Sequence, residues 1–133
     1  MFYRKPLRWL VLFTVLSLVV AVSAVLMAQD AEKVSPKVVH LKLENERVRV
    51  LETVSNPGDK EGMHSHPQSV VFVISGGKLR ISTPDGKTSD MELKTGDTLW
   101  REPVTHAAEN IGTTQVHAII FELRQPTRGR SLD

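Results

Sequence analysis

The chain has no cysteine among its 133 residues, and that absence excludes several functions at once. It has no disulfide staple, no thiol nucleophile, no thiolate metal ligand and no lipid-modified cysteine. Charge is missing over residues 9–28, an apolar run of about 20 residues preceded by Arg4, Lys5 and Arg8. Acidic residues are missing from the whole of 1–28, so this segment holds three of the 17 Lys and Arg and none of the 15 Asp and Glu. The remainder carries 14 basic against 15 acidic residues, a net charge of −1. The surplus of positive charge therefore belongs to the leader, and no basic stripe remains to suggest a nucleic-acid partner.

A basic start, an apolar run and a small-residue exit read as a secretory signal peptide, with cleavage after Ala24 or Ala28. The run is also long enough to stay in a bilayer as a single anchor. Both outcomes put the rest of the chain outside the cytoplasm, as a periplasmic or secreted domain or one tethered there. Membrane contact is expected only through this N-terminal segment.

About a hundred residues remain, enough for one small domain. Residues 29–37 are polar with one Pro and read as a linker. No helical period appears beyond the leader. Instead β-branched and alternating stretches at 38–43, 47–54, 69–75, 78–83, 88–94, 98–102, 105–110 and 115–123 alternate with Gly, Pro, Asn and Asp turns. Short strands at this spacing predict an all-β barrel or sandwich over 38–123, followed by a loose tail at 124–133.

His64 and His66 are two apart in an extended stretch, so both imidazoles project to one face, where they can chelate one ion. Gly58, His64, His66 and Gly77 also fall on the pattern G-x5-H-x-H-x3-E-x6-G, and Gly96, His106 and Asn110 on G-x5-P-x-G-x2-H-x3-N, with Pro103 displaced and the interior one residue short. In these two motifs the chain resembles the cupin family. The resemblance implies a single-domain double-stranded β-helix, or jelly-roll barrel, with His64, His66 and His106 as ligands of one divalent ion. Imidazole suits Fe, Zn, Ni and Cu alike, and Mn stays open with them, so the ion is not readable from ligand type.

The family's glutamate is absent, since Val70 occupies its position. Three neutral imidazoles leave the ion its full double charge, which favours anions and leaves coordination positions open, as catalysis requires. Related cupins with three-His centres include thiol dioxygenases, so the resemblance implies a dioxygenase-like oxidoreductase acting on a small, anionic organic molecule. The alternative is a non-catalytic module that binds metal or a small ligand.

If parity carries from His66 through Pro67, then Val70, Phe72 and Ile74 line the pocket. Arg101 is expected near the His106 loop, where it could hold an anion, and His117 either looks into the barrel or bonds a strand neighbour. His40 and Arg80 read as surface residues, and Gln68 lies near the His pair without the spacing of a ligand. Strands 69–75 and 115–123 are apolar on both faces, so both faces are expected to be covered, one by a second sheet and one by a homodimer partner.

Overall fold

The computed structural model describes residues 29–125; the segment 1–28 read as an export signal and the tail from 126 lie outside the described residues. A one-turn helix α1, Ala31–Val34, precedes nine strands: β1 Val39–Glu44, β2 Val48–Ser55, β3 Lys60–His66, β4 Ser69–Ser75, β5 Gly77–Ser82, β6 Thr88–Leu93, β7 Thr98–Arg101, β8 Val104–Asn110 and β9 Val116–Leu123. They form a five-stranded sheet in the order β1-β2-β9-β4-β7 and a four-stranded sheet in the order β3-β8-β5-β6. Every pairing is antiparallel. The chain is all-β, as the alternation predicts.

Register sets what each face of the larger sheet presents. On the inner face Arg49, Glu122, Ser69 and Arg101 stand in one row across β2, β9, β4 and β7. The next inner row is apolar and runs Leu51, Ile120, Val71, Leu99. Polar residues thus gather at one end of the interior and aliphatic ones fill the rest. Val73, Leu93 and Val116 are buried there, with Leu79, Met91 and Leu99 packed against them.

This register corrects the lining expected from the sequence. Val70, Phe72 and Ile74 do not face the interior: Phe72 and Ile74 are 42% and 40% exposed, and Ser69, Val71 and Val73 take the inward positions. β3 and β4 belong to different sheets, and Pro67 and Gln68 carry the chain across between them. Parity holds along one strand and is not conserved through such a crossing.

The outward face of the five-stranded sheet carries one row that is apolar from edge to edge, with polar residues such as Glu52 and His117 beside it. Leu43, Val50, Phe121, Val70 and Trp100 form one row crossing all five strands. Leu43, Phe121 and Trp100 are among its exposed members. The second sheet covers the inner face of β4 and β9, while within this chain nothing described covers the outer one.

The segment read as a linker is part of the domain. Asp30 caps α1 by accepting from the Glu32 amide, and Ala31 is 1% exposed in a cluster with Val38, Val39 and Leu51. The segment lies along β3: the Ser65 amide donates to the Gln29 carbonyl at 3.0 Å and the Gly62 amide to Ser35 Oγ at 3.0 Å. Gly62 permits this closeness, because a Cβ there would stand 2.5 Å from Val34 Cγ1. A Gly62→Val change is therefore expected to destabilise the domain by about 1–3 kcal/mol through overpacking. Denaturant unfolding beside the surface change His40→Ala, expected to be neutral, measures it.

Candidate metal centre

β3 and β8 pair so that His64 stands directly opposite His106, with His66 two residues on along the same face. The ring centroids are 4.7 Å apart for His64 and His66, 4.8 Å for His64 and His106, and 5.5 Å for His66 and His106. One ring nitrogen from each lies within 4.8 Å of the others, so the three could hold one metal ion. His64 and His66 are buried and His106 half-buried.

Hydrogen bonds from behind fix which nitrogen each ring presents. His64 Nδ1 lies 2.7 Å from the Gly62 carbonyl, which can only accept, so Nδ1 carries the hydrogen and Nε2 is bare. His66 Nδ1 lies 2.6 Å from Glu122 Oε1 and donates to that carboxylate, turning its Nε2 toward the centre. The two Nε2 atoms face one another at 2.9 Å. At that distance either a proton carried by one of them or a metal ion bound by both holds the pair together. Two nitrogens bound cis to one ion at about 2.1 Å would stand about 3 Å apart, so the donor set fits a metal.

Glu122 is itself held. Its Oε2 is 3.4 Å from Arg49 Nη1, and Arg49 Nη2 is 2.8 Å from Asp30 Oδ1 and 3.5 Å from Glu32 Oε2. The segment before the barrel is thus linked through Arg49 and Glu122 to His66.

Burial dominates the acid–base behaviour. It lowers the His64 pKa, partly opposed by the Gly62 hydrogen bond. The same desolvation, with the neighbouring His64, His66 and Arg101 charges, lowers His106 to about 3. Burial raises Glu61 to about 7, against the pull of His66. Neutral imidazoles are the form that ligates.

Glu61 is the functional candidate that sequence reasoning missed. Being three residues before His64, it should point to the opposite face. A bulge lies between them, however: Glu61 pairs with Ala108 and His64 with His106, so three steps on β3 match two on β8. The extra residue brings Glu61 to the His face, with Oε2 3.7 Å from His64 Nε2. The signal was Gly62, since a glycine inside a strand often marks a bulge.

A cavity of about 350 Å³ opens beside the rings, lined by His66, His106, Glu61 and Arg101 and by apolar side chains including Val71, Leu99, Met91 and Ile120. Arg101 thus reaches the interior, where its Nη2 lies 2.9 Å from the Met91 sulfur. His117 does not line it: on β9 it alternates with the inward Val116 and Ala118, and its Nε2 bonds Glu52 Oε1 at 2.9 Å on the other face. Arg80 pairs with Asp90 outside, Gln68 bonds Glu102, and His40 is exposed. Asn110, the last motif residue, is structural: its amide donates to the Ser55 and Thr114 carbonyls and accepts from the Gly112 amide.

These shifts predict how the metal-free domain responds to acid. Between pH 6.5 and about 3 the unfolded chain holds a proton on His106 that the folded one does not, so stability falls as pH drops through that window. Glu61 opposes this between 4.5 and about 7, where only the folded state keeps it protonated. Net loss is expected below about pH 4.5, where Glu61 no longer opposes the histidine and the lowered carboxyl of Asp30, held by Arg49 against its burial, adds to the loss. Thermal midpoints of chelator-treated protein at pH 5 and 3.5 measure it, and His106→Gln should narrow the difference.

Comparison with known proteins bears on the same residues. The family described as Cupin domain matches residues 51–122. No curated protein matches the chain. Among solved structures, a cupin domain from Bordetella pertussis Tohama I is 30% identical, with 66% of this chain and 93% of that one covered at a TM-score of 0.61. A conserved protein with a double-stranded β-helix domain from Klebsiella pneumoniae is 24% identical over 69% and 79% of the two chains, with a TM-score of 0.51. An RmlC-like cupin from Methanocaldococcus jannaschii shares the fold at 16% identity, over 67% and 81% of the chains with a TM-score of 0.53. With both motifs on facing strands and the match spanning more than half of its length, this chain belongs to the cupin family.

Proposed function

We propose that this cupin is a metal-dependent oxidoreductase of dioxygenase type, acting outside the cytoplasm on a small anionic organic molecule. The observation that carries it is the cluster of three ring nitrogens from His64, His66 and His106 beside a cavity that can admit a ligand. His64, His66 and His106 would hold one divalent ion, drawn from Fe, Mn, Zn, Ni or Cu. A redox-active ion, iron above the others, would supply the electron exchange with dioxygen that these side chains cannot.

The chain's own groups support the rest. Arg101 enters the cavity from β7 and offers a fixed positive charge to a carboxylate or similar anion. The wall of Val71, Leu99 and Ile120 keeps water away from a bound molecule and strengthens that attraction by lowering the local dielectric. Glu122 and Arg49 hold His66 in place, and such supports are worth about 10- to 100-fold in metal affinity elsewhere.

Export rests on the cationic start and the apolar run of 1–28. Among the described residues no helix is long and apolar enough to cross a membrane. A homodimer is favoured by the outer row of Leu43, Val50, Phe121, Val70 and Trp100, since two such faces stack on a two-fold axis as sheets pack in a sandwich.

Elemental analysis of protein from its own source is expected to find one ion per chain. His64→Ala, His66→Ala and His106→Ala should each abolish binding, and His40→Ala should not. Dioxygen uptake with a panel of small thiol and hydroxy acids tests turnover, and Arg101→Met should raise KM more than it lowers kcat. Metal-replete protein that consumes no dioxygen with any of them would leave the non-catalytic binding module. For the dimer, light scattering should show a two-chain mass that Phe121→Lys reduces to one; a wild-type monomer refutes it.

A further inference from the structure

The motif position that normally carries a carboxylate holds Val70, and that side chain leaves from the outer face of β4, away from the three rings. The bulge between Glu61 and His64 nevertheless brings a carboxylate to the ring side of β3. We propose that Glu61 supplies the carboxylate ligand of the metal centre, reaching it from before the His pair instead of after it. This rests on the three-His centre proposed above.

Three observations converge on Glu61. The first is reach: its Oε2 stands 3.7 Å from His64 Nε2, the bare nitrogen. Two ligands of one ion, each about 2.1 Å from it, are about 3.0 to 4.2 Å apart, so the pair can share an ion. The second is lack of any other partner. The side chain is 11% exposed, and among the described residues no hydrogen bond reaches its carboxylate. A carboxylate this little exposed on a cavity wall is satisfied by water there or by a bound ion. The third is access, since Glu61 lines the same cavity as His66 and His106.

Local structure holds the carboxylate there. The Gly62 carbonyl accepts from His64 Nδ1 while its amide donates to Ser35 Oγ, so one residue fixes both the ring and the bulge beside it. With Glu61 bound, a dication among three neutral imidazoles keeps a net charge of +1 instead of +2. An anionic ligand then depends more on Arg101.

Cobalt(II) titration of the metal-free full chain tests the assignment. Wild type should bind one ion per chain. Glu61→Gln, which keeps shape and loses charge, should weaken binding at least about tenfold and change the visible absorption of the bound ion. Its thermal midpoint without metal should match or exceed that of wild type, while the rise on adding cobalt shrinks, an outcome a merely structural role does not give. Val70→Glu should bind as wild type does. If Glu61→Gln keeps the wild-type affinity and spectrum while His106→Ala loses binding, Glu61 is not a ligand and the three-His reading stands. A wild type that takes up no cobalt removes both. Should Glu61→Gln not fold, Glu61→Asp, with its arm one methylene shorter, must weaken binding in its place, and unchanged affinity there overturns the proposal.

Discussion

Two imidazole nitrogens turned toward one another in a buried place is the condition around which this domain is arranged. A pair at 2.9 Å is held by a proton or a metal ion shared between the atoms, and the protein prevents the rings from turning away. The Gly62 carbonyl holds one ring and Glu122 the other, each by the nitrogen that faces away from the centre. A ring flip would break a short hydrogen bond in a buried place, where a lost partner costs about 1–3 kcal/mol. The neutral state of His64 and His106, favoured by burial, suits the same end.

The supports come from distant parts of the chain. Glu122 lies on β9, Arg49 on β2 and Asp30 before α1, yet they form a line of alternating charge that ends on His66. Arg49 and Glu122 share one inner row of the five-stranded sheet, so strand register aligns them without any loop. A polar row against an apolar row also divides the cavity into a charged end beside the rings and an aliphatic body.

Much of this was legible in the sequence because it depends on local rules. Alternation and turn residues placed eight strands within a residue or two of where they stand, and His-x-His spacing put two rings on one face. His106 was legible only through the resemblance, since its place opposite His64 is a matter of pairing between strands 40 residues apart. Three features followed other rules. Parity could not be carried from His66 to Val70, because Pro67 and Gln68 cross between sheets. Glu61 was hidden by a bulge that changes its face. Residues 29–37 looked like a linker because their composition is polar; their anchors are Ala31, a helix cap and an ion pair with Arg49, contacts that no local pattern announces.

The same segment settles where this domain can be cut. β3 is an edge strand, and edge strands expose unpaired amides that invite another strand to add on. Here the amides of Gly62 and Ser65 are taken up by Ser35 and Gln29, so residues 29–35 cap that edge as a covering loop would. A chain begun at Val38, one residue before the first strand, would uncover the edge beside His64 and His66. It would then be open to strand addition by a neighbouring chain, and the amides of Gly62 and Ser65 would exchange with solvent while the rest of the barrel stayed closed.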